Sequence, residues 1–162
     1  MNDMAHAVLR LLEDNKIEYT LAEHPAVFNM EELYAQGLEH GEAIAKNLLV
    51  RDQKKRFYWL LVLYGEKRAD LKALKARLGH GALSFAGAEE LKALLHLTPG
   101  SVTPFGALND AEHRVDILLD EDYRGQFIGV HPNDNTATVW LPADALAELL
   151  RQQGAAVEFI SF

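Results

Sequence analysis

The eight residues from Phe57 to Tyr64 restrict the fold more than any other feature, because all of them are apolar or aromatic. A strand with one solvent-facing side alternates apolar and polar residues, so an unbroken run indicates a strand buried on both faces. A second apolar run, Ala43–Arg51, precedes it, and the polar residues Gln53–Arg56 connect the two. We therefore predict a hairpin whose second strand lies centrally in a sheet covered by helices.

The rest of the chain alternates helical and strand patterns, with turn signals between them. The predicted helices are Asp3 to about Asn15 with Asp3 as the cap, Met30 to about Gln36 capped by Asn29, Asp70–Leu78, Ala88–Leu95, and Asp144 to about Gln153. The further predicted strands are Ile17–Leu21, Leu83–Ala86, Val115–Leu119, Gln126–Val130, Thr136–Leu141 and Val157–Ile160. This mixture predicts a single domain, residues 1–162, of the α+β (α/β mixed) class. We expect a mixed, mainly antiparallel central sheet flanked by helices.

The composition excludes several classes of protein. The chain has no cysteine, so disulfide and thiolate chemistry are excluded, and a reducing compartment is compatible with that absence. Residues 1–15 are amphipathic and partly acidic, which does not match a secretory signal peptide. No apolar run approaches the length of a membrane span. We therefore expect a cytoplasmic protein with no membrane partner.

The charge of the chain is unevenly distributed. The formal net charge is −8, which argues against general affinity for nucleic acid. The segment from Lys46 to Arg77 nevertheless carries ten of the sixteen basic residues against three acidic ones. A basic face on an acidic protein suits selective contact with a phosphate backbone. The alternative is a solvated helix and a charged hairpin turn.

The segment from His131 to Thr138 concentrates hydrogen-bonding side chains: one histidine, two asparagines, one aspartate and two threonines. It lies between two predicted strands, and Pro132 followed by Asn-Asp-Asn is typical of a turn. One interpretation is a hairpin tip whose side chains satisfy their own backbone. The other is a binding loop.

Two further features are candidates for binding. Lys46 stands in an otherwise apolar strand, where its charge either faces solvent at an edge or has a use in a cleft. Strand alternation places Asn47 on the opposite side, so it predicts that only one of the two lines a given cleft. The loop Gly100–Pro104 either presents backbone groups to a ligand or is an ordinary connector.

No signature of a metal site, cofactor or covalent nucleophile stands out. The seven histidines include no pair at the helical spacing of a zinc motif, and there is no cysteine. Phosphate-loop, dinucleotide and Gly-x-Ser-x-Gly motifs are also missing. We predict no metal and no cofactor, and an enzyme of this kind would work by positioning a substrate and a water.

Three segments occur together in an order and spacing that resemble the bacterial prolyl-tRNA editing superfamily of the YbaK/ProX type. They are Ala45–Val50 with the following basic turn and Tyr58–Leu60, Gly100–Gly106 leading to Leu108–Asp110, and Gly129–Thr138. Glu23–Phe28 fits the same pattern, and the resemblance covers essentially the whole chain. Within the superfamily, the chain is most similar to free-standing deacylases that clear alanine from mischarged proline tRNA.

The resemblance implies a cytoplasmic trans-editing hydrolase that cleaves the ester between an alanyl group and the terminal ribose of tRNA. It implies two catalytic residues: Lys46 would hold the terminal adenosine or its phosphate, and His131 would orient the substrate or a water. No metal is implied, and a substrate ribose hydroxyl would assist the attack. The implied substrate-binding residues are Asn47, Gly100, Ser101, Val102, Thr103, Pro104, Phe105 and Asn135.

Two alternatives stay open at this point. The substrate could instead be Cys-tRNA(Pro) or a tRNA bearing another small mischarged residue. A non-catalytic tRNA-binding module would bind tRNA in a salt-dependent way without hydrolysing it. The expected partner is mischarged proline tRNA, and whether a prolyl-tRNA synthetase or an elongation factor hands it over stays open.

Overall fold

A computed structural model describes all 162 residues and contains five α-helices and eight β-strands. The helices are α1 (Asp3–Asp14), α2 (Met30–Ala35), α3 (Leu71–Leu78), α4 (Ala88–Leu95) and α5 (Ala143–Gln152). The strands are β1 (Thr20–Glu23), β2 (Lys46–Asp52), β3 (Tyr58–Leu63), β4 (Leu83–Phe85), β5 (Val115–Asp120), β6 (Phe127–Val130), β7 (Ala137–Pro142) and β8 (Val157–Ile160). Short 3₁₀ helices span Gly41–Ala43, Pro104–Asn109 and Glu121–Tyr123. None of the helices has both the length and the apolar character needed to cross a membrane.

The larger sheet has five strands in the order β4-β2-β3-β5-β8, so β3 lies at its centre. All six residues of β3 are buried, which confirms the central strand predicted from the apolar run. Leu60 and Val62 face the main core, and Trp59 and Leu61 face a second core beneath α3. Because apolar side chains project from both faces of β3, the sheet needs helices covering it on both sides.

The predicted fold class is confirmed, and the strands divide between two sheets. The late hairpin, β6 and β7, joins β1 in a separate three-stranded antiparallel sheet of order β1-β7-β6. In the larger sheet β2 is antiparallel to β3 and β4, whereas β5 is parallel to β3 and β8. The main core is shared by the larger sheet, the late hairpin and helices α1, α4 and α5.

Three element boundaries were predicted wrongly. Strand β2 begins at Lys46 rather than at Ala43, which belongs to a 3₁₀ helix. The first strand lies at Thr20–Glu23 rather than Ile17–Leu21, because pairing with β7 sets its register, with Thr20 opposite Trp140. Helix α1 is capped by Asn2 rather than by Asp3, and the Asn2 side chain accepts a hydrogen bond from the Ala5 N–H. Both residue types cap helices well, so the sequence alone does not decide between them.

The two sheets meet just before β2. The Ala45 N–H donates to the Gly129 carbonyl at 2.9 Å, and Ile44 forms an isolated parallel bridge with Gly129. A Cβ on Gly129 would lie 2.7 Å from Trp140 Nε1 and 3.0 Å from Ile44 Cγ1, so only glycine allows this approach. This contact brings the first residues of β2 alongside the late hairpin.

Candidate active site

A cavity of about 240 Å³ opens where the start of β2, the loop after α4 and the late hairpin meet. Lys46 from β2, Gly100 and Val102 from the loop, and His131 from the hairpin all line it. Its remaining wall is mainly apolar and includes Leu33 of α2. The three features that the sequence singled out separately therefore share one small cleft.

Of the ten predicted site residues, five line this cavity: Lys46, Asn47, Gly100, Val102 and His131. The other five do not line it. Ser101 donates from its hydroxyl to the Thr98 carbonyl. Asn135 Nδ2 donates to the Val27 carbonyl at 2.8 Å, which ties the hairpin tip to the segment before α2.

The second half of the predicted binding loop supports the site from inside the core. Thr103 and Phe105 have no exposed surface, and Pro104 begins a 3₁₀ helix. The Thr103 hydroxyl donates to the His131 carbonyl at 2.6 Å. This part of the loop therefore fixes the backbone of His131, and its side chains do not reach the cavity.

Lys46 is the only cationic side chain on the cavity wall. It is half-buried, forms no hydrogen bond or ion pair with the protein, and also borders a surface depression beside Glu31 and Glu66. Because β4 pairs only with Val50–Asp52, Lys46 lies at an open edge of the sheet. Lys46 and Asn47 both line the cavity, so the alternation-based prediction is wrong: at a strand end, a long side chain can reach around the edge.

His131 is only 8% exposed, and its Nδ1 lies 2.7 Å from the Ala137 carbonyl oxygen. A carbonyl can only accept, so Nδ1 carries the proton in the neutral ring and Nε2 is left as an acceptor. Burial lowers the pKa of His131 below its usual value, and the neighbouring His24 lowers it further. The ring is therefore neutral near pH 7 and offers the cavity an acceptor.

An NMR titration of His131 should give a midpoint below about 6.5, the value of an unperturbed histidine. Burial and His24 lower this pKa, while the Ala137 carbonyl and the Asp134 carboxylate oppose the shift. In the unfolded chain the ring takes up its proton at a higher pH, so folding stability should decline as the pH falls below about 6.5. The same ring in urea-unfolded protein is the reference. A folded-state midpoint at or above the unfolded one would contradict the burial argument.

Gly100 shapes the wall through its backbone. Its φ of +89° lies in the region that favours glycine. A Cβ at this position would lie 2.7 Å from the Phe28 Cα, so the loop packs directly against the chain before α2. Phe28 lines the cavity and keeps 64% of its surface exposed. Sequence reasoning did not assign Phe28 to the site, although it ends the Glu23–Phe28 match.

Most of the polar hairpin tip is structural. The Asp134 carboxylate accepts from the Thr136 N–H and hydroxyl and from the Asn2 N–H. Asn133 Nδ2 donates to the Phe105 carbonyl at 3.2 Å. The centre of this segment is therefore a structural hairpin tip, as one of the two interpretations held. Its two ends, His131 and Thr138, line the cavity, and sequence reasoning did not assign Thr138 to the site.

The basic segment is not one continuous face. Lys67 pairs with Asp120 and Asp122, and Arg51 pairs with Glu90. The basic residues that stay exposed are Lys54, Lys55, Arg56, Arg68, Lys72, Lys75 and Arg77, in the β2–β3 turn and in or just before α3. Acidic residues from elsewhere in the chain therefore neutralise part of the segment.

Comparison with known proteins places this geometry in context. Residues 24–149 match the family model of the aminoacyl-tRNA editing domain. The chain is 40% identical to the prolyl-tRNA editing protein ProX of Acetoanaerobium sticklandii, covering 94% of this chain and 93% of the relative. It is 31% identical to the prolyl-tRNA synthetase associated domain-containing protein 1 of Xenopus laevis, with coverage of 94% and 93%. The crystal structure of a proposed trans-editing enzyme for prolyl-tRNA synthetase matches with a TM-score of 0.72 at 25% identity, covering 100% of this chain and 99% of that one.

Proposed function

The chain belongs to the aminoacyl-tRNA editing domain family and is an aminoacyl-tRNA deacylase, and we propose that the ester it hydrolyses is that of Ala-tRNA(Pro). The observation that carries this proposal is the shared cleft: Lys46, the loop residues Gly100 and Val102, and His131 all line one cavity. The cleft is smaller than the pockets that usually hold drug-sized ligands, which favours a small aminoacyl group.

In the proposed mechanism, Lys46 stabilises the negative charge of the substrate during hydrolysis. An ammonium offers three donors and a fixed positive charge, which suit a phosphate or the oxyanion of a tetrahedral intermediate. Lys46 has no competing partner in the protein, so its amine is free for the substrate. Water adds to the ester carbonyl, assisted by a ribose hydroxyl of the substrate, and the bond between the carbonyl carbon and the ribose oxygen then breaks. One water proton passes to that ribose oxygen and the other is lost to solvent, so that alanine leaves as its carboxylate.

His131 and the loop place the aminoacyl group in this mechanism. The neutral imidazole presents Nε2 as an acceptor that orients the substrate or the attacking water. Gly100 and Val102, in the loop after α4, form another part of the pocket wall. An extra methylene is worth only about 1–3 kcal/mol in binding, so discrimination against proline comes from exclusion of the larger ring.

A deacylation panel tests the proposal. Purified Ala-tRNA(Pro), Cys-tRNA(Pro) and Pro-tRNA(Pro) are incubated with the protein, and loss of the labelled amino acid is compared with spontaneous hydrolysis. We expect rapid loss of alanine, with Pro-tRNA(Pro) spared. Preferential hydrolysis of Cys-tRNA(Pro) would assign the alternative substrate, and salt-dependent tRNA binding without any hydrolysis would indicate a binding module. Adding a prolyl-tRNA synthetase or an elongation factor tests whether either protein delivers the substrate.

A further inference from the structure

A histidine and a threonine on the wall of the cavity have one property in common: in their neutral forms both offer an acceptor. His131 offers Nε2, because its Nδ1 proton is held by the Ala137 carbonyl. No arginine or second lysine lines the cavity, and Lys46, the one cation, is half-buried at its edge. A ligand group that hydrogen-bonds to the neutral His131 ring must therefore be a donor.

The Thr138 hydroxyl is left as an acceptor because its proton is donated to His24. His24 Nδ1 lies 2.9 Å from the Pro25 carbonyl oxygen, so this nitrogen carries the proton in the neutral ring. His24 Nε2 then accepts from the Thr138 hydroxyl, at 2.9 Å. Thr138 is fully buried but borders the cavity, and once its proton is used in this way its Oγ1 keeps only lone pairs. The two imidazole rings lie 6.0 Å apart, so both acceptors belong to one corner.

Asn47, on the same wall, carries a third acceptor. Its Nδ2 makes a long contact of 3.4 Å with the Ala45 carbonyl, and its Oδ1 is buried without any partner in the protein. A buried carbonyl oxygen without a donor is unfavourable, but this oxygen has almost no accessible surface, so Asn47 must shift slightly before a ligand in the cavity can donate to it. The acceptors of this corner are therefore His131 Nε2 and Thr138 Oγ1, and a small shift of Asn47 would add its Oδ1 as a third.

We infer that this corner recognises the free α-amino group of the aminoacyl ester. The inference rests on the proposed function and names which part of the substrate this corner reads. The ester carbonyl and ester oxygen only accept, so the donors on an alanyl-adenosine end are the amine and the sugar and base N–H or O–H groups. Apolar side chains such as Leu33, Ile44 and Val102 surround the corner, which suits an alkyl side chain next to an amine. The nucleotide end of the substrate then lies away from this corner, on the side of the cavity near Lys46.

The inference gives the cleft a second selectivity, against esters whose amine is blocked. Acylation of the amine removes donors and adds bulk in a cavity of about 240 Å³. Peptidyl-tRNA and formylated aminoacyl-tRNA would then be rejected, whatever their side chain. Sites that hydrogen-bond a substrate group reject analogues lacking it strongly, so we expect N-acetyl-Ala-tRNA(Pro) to be hydrolysed at least about 100-fold more slowly than Ala-tRNA(Pro).

Variants of Thr138 separate recognition from structure. Thr138→Val removes the hydroxyl with little change in shape, and it should lower the ratio of Ala-tRNA(Pro) to N-acetyl-Ala-tRNA(Pro) hydrolysis by at least about tenfold. Thr138→Ser keeps the hydroxyl and should restore the ratio. His24→Gln, which removes the imidazole that orients Thr138, tests His24 as a positioning residue by the same ratio. An unchanged ratio in folded Thr138→Val protein would overturn the role of this hydroxyl.

A binding experiment tests the inference without hydrolysis, so that it can fail separately from the proposed function. The probes are 3′-alanylamino-3′-deoxyadenosine, its propionyl counterpart lacking only the amine, and the alanyl amide lacking the 2′-hydroxyl. Calorimetry should show at least about tenfold weaker binding for the propionyl probe. Equal binding of the alanyl and propionyl probes, or a loss confined to the probe without the 2′-hydroxyl, would overturn the inference. Preferred binding of the amine by a protein that hydrolyses no aminoacyl-tRNA would support the inference and reject the proposed reaction.

Discussion

Replacing Lys46 with alanine should lower kcat/KM for Ala-tRNA(Pro) by about 10²–10³-fold, the usual cost of losing one group that stabilises a developing oxyanion. The loss should fall mainly on kcat if the amine stabilises the oxyanion, and mainly on KM if it only holds a phosphate. Rapid-quench deacylation assays at saturating and subsaturating tRNA separate these two roles.

The structure also predicts that this substitution leaves the fold intact. The Lys46 side chain forms no hydrogen bond or ion pair within the protein, so its truncation leaves no buried group without a partner. The unfolding midpoint of Lys46→Ala should therefore match that of the native chain. Lys92→Ala is the matched control, because it removes the same charge from the exposed side of α4 and should keep full activity. Full activity in Lys46→Ala protein would reject the catalytic assignment.

Gly100→Ala should lower both stability and activity. A residue with a Cβ in the left-handed region costs about 1–2 kcal/mol relative to glycine. The added carbon would also lie 2.7 Å from the Phe28 Cα, which is backbone and cannot rotate away. The loop or the segment before α2 must then shift, and a displacement near 1 Å can cost about 100-fold in rate. Thermal unfolding and deacylation assays measure the two effects.

Gly79→Ala is the control that isolates the contact with Phe28. Gly79 ends α3 with a φ of +71°, so alanine meets a similar backbone penalty there, but nothing lies within 4 Å of the added Cβ. We expect a loss of stability of about 1–2 kcal/mol, smaller than that of Gly100→Ala, with unchanged deacylation. Equal activity in the two variants would show that the approach of Gly100 to Phe28 does not shape the cleft.

Several elements were predictable because their cause is local. The unbroken run of β3 predicts burial on both faces whatever surrounds it, and the structure confirms it. Asn29 caps α2 through a bond from the Glu32 N–H, and Gly79 ends α3 in the left-handed conformation. Each of these outcomes depends on the chemistry of a few neighbouring residues, so it can be inferred from the sequence.

The orientation of the predicted site residues was not predictable in the same way. Thr103 and Phe105 follow Gly100 closely in the chain, yet they point into the core, whereas Val102 lines the cavity. Thr138 stands in a strand and gains its acceptor role from His24, which lies in another segment. The direction in which a loop side chain points depends on contacts with residues in other segments, which the local sequence does not specify.

The sequence by itself determined the buried central strand, most helix ends and the residue types that could do chemistry, because burial preference and capping are properties of short segments. The tertiary structure decided that Lys46, Gly100 and His131 face one another. That arrangement depends on the contact of Ile44 and Ala45 with Gly129, which joins the two sheets. Such contacts between distant segments form only when whole layers pack, so no local pattern specifies them.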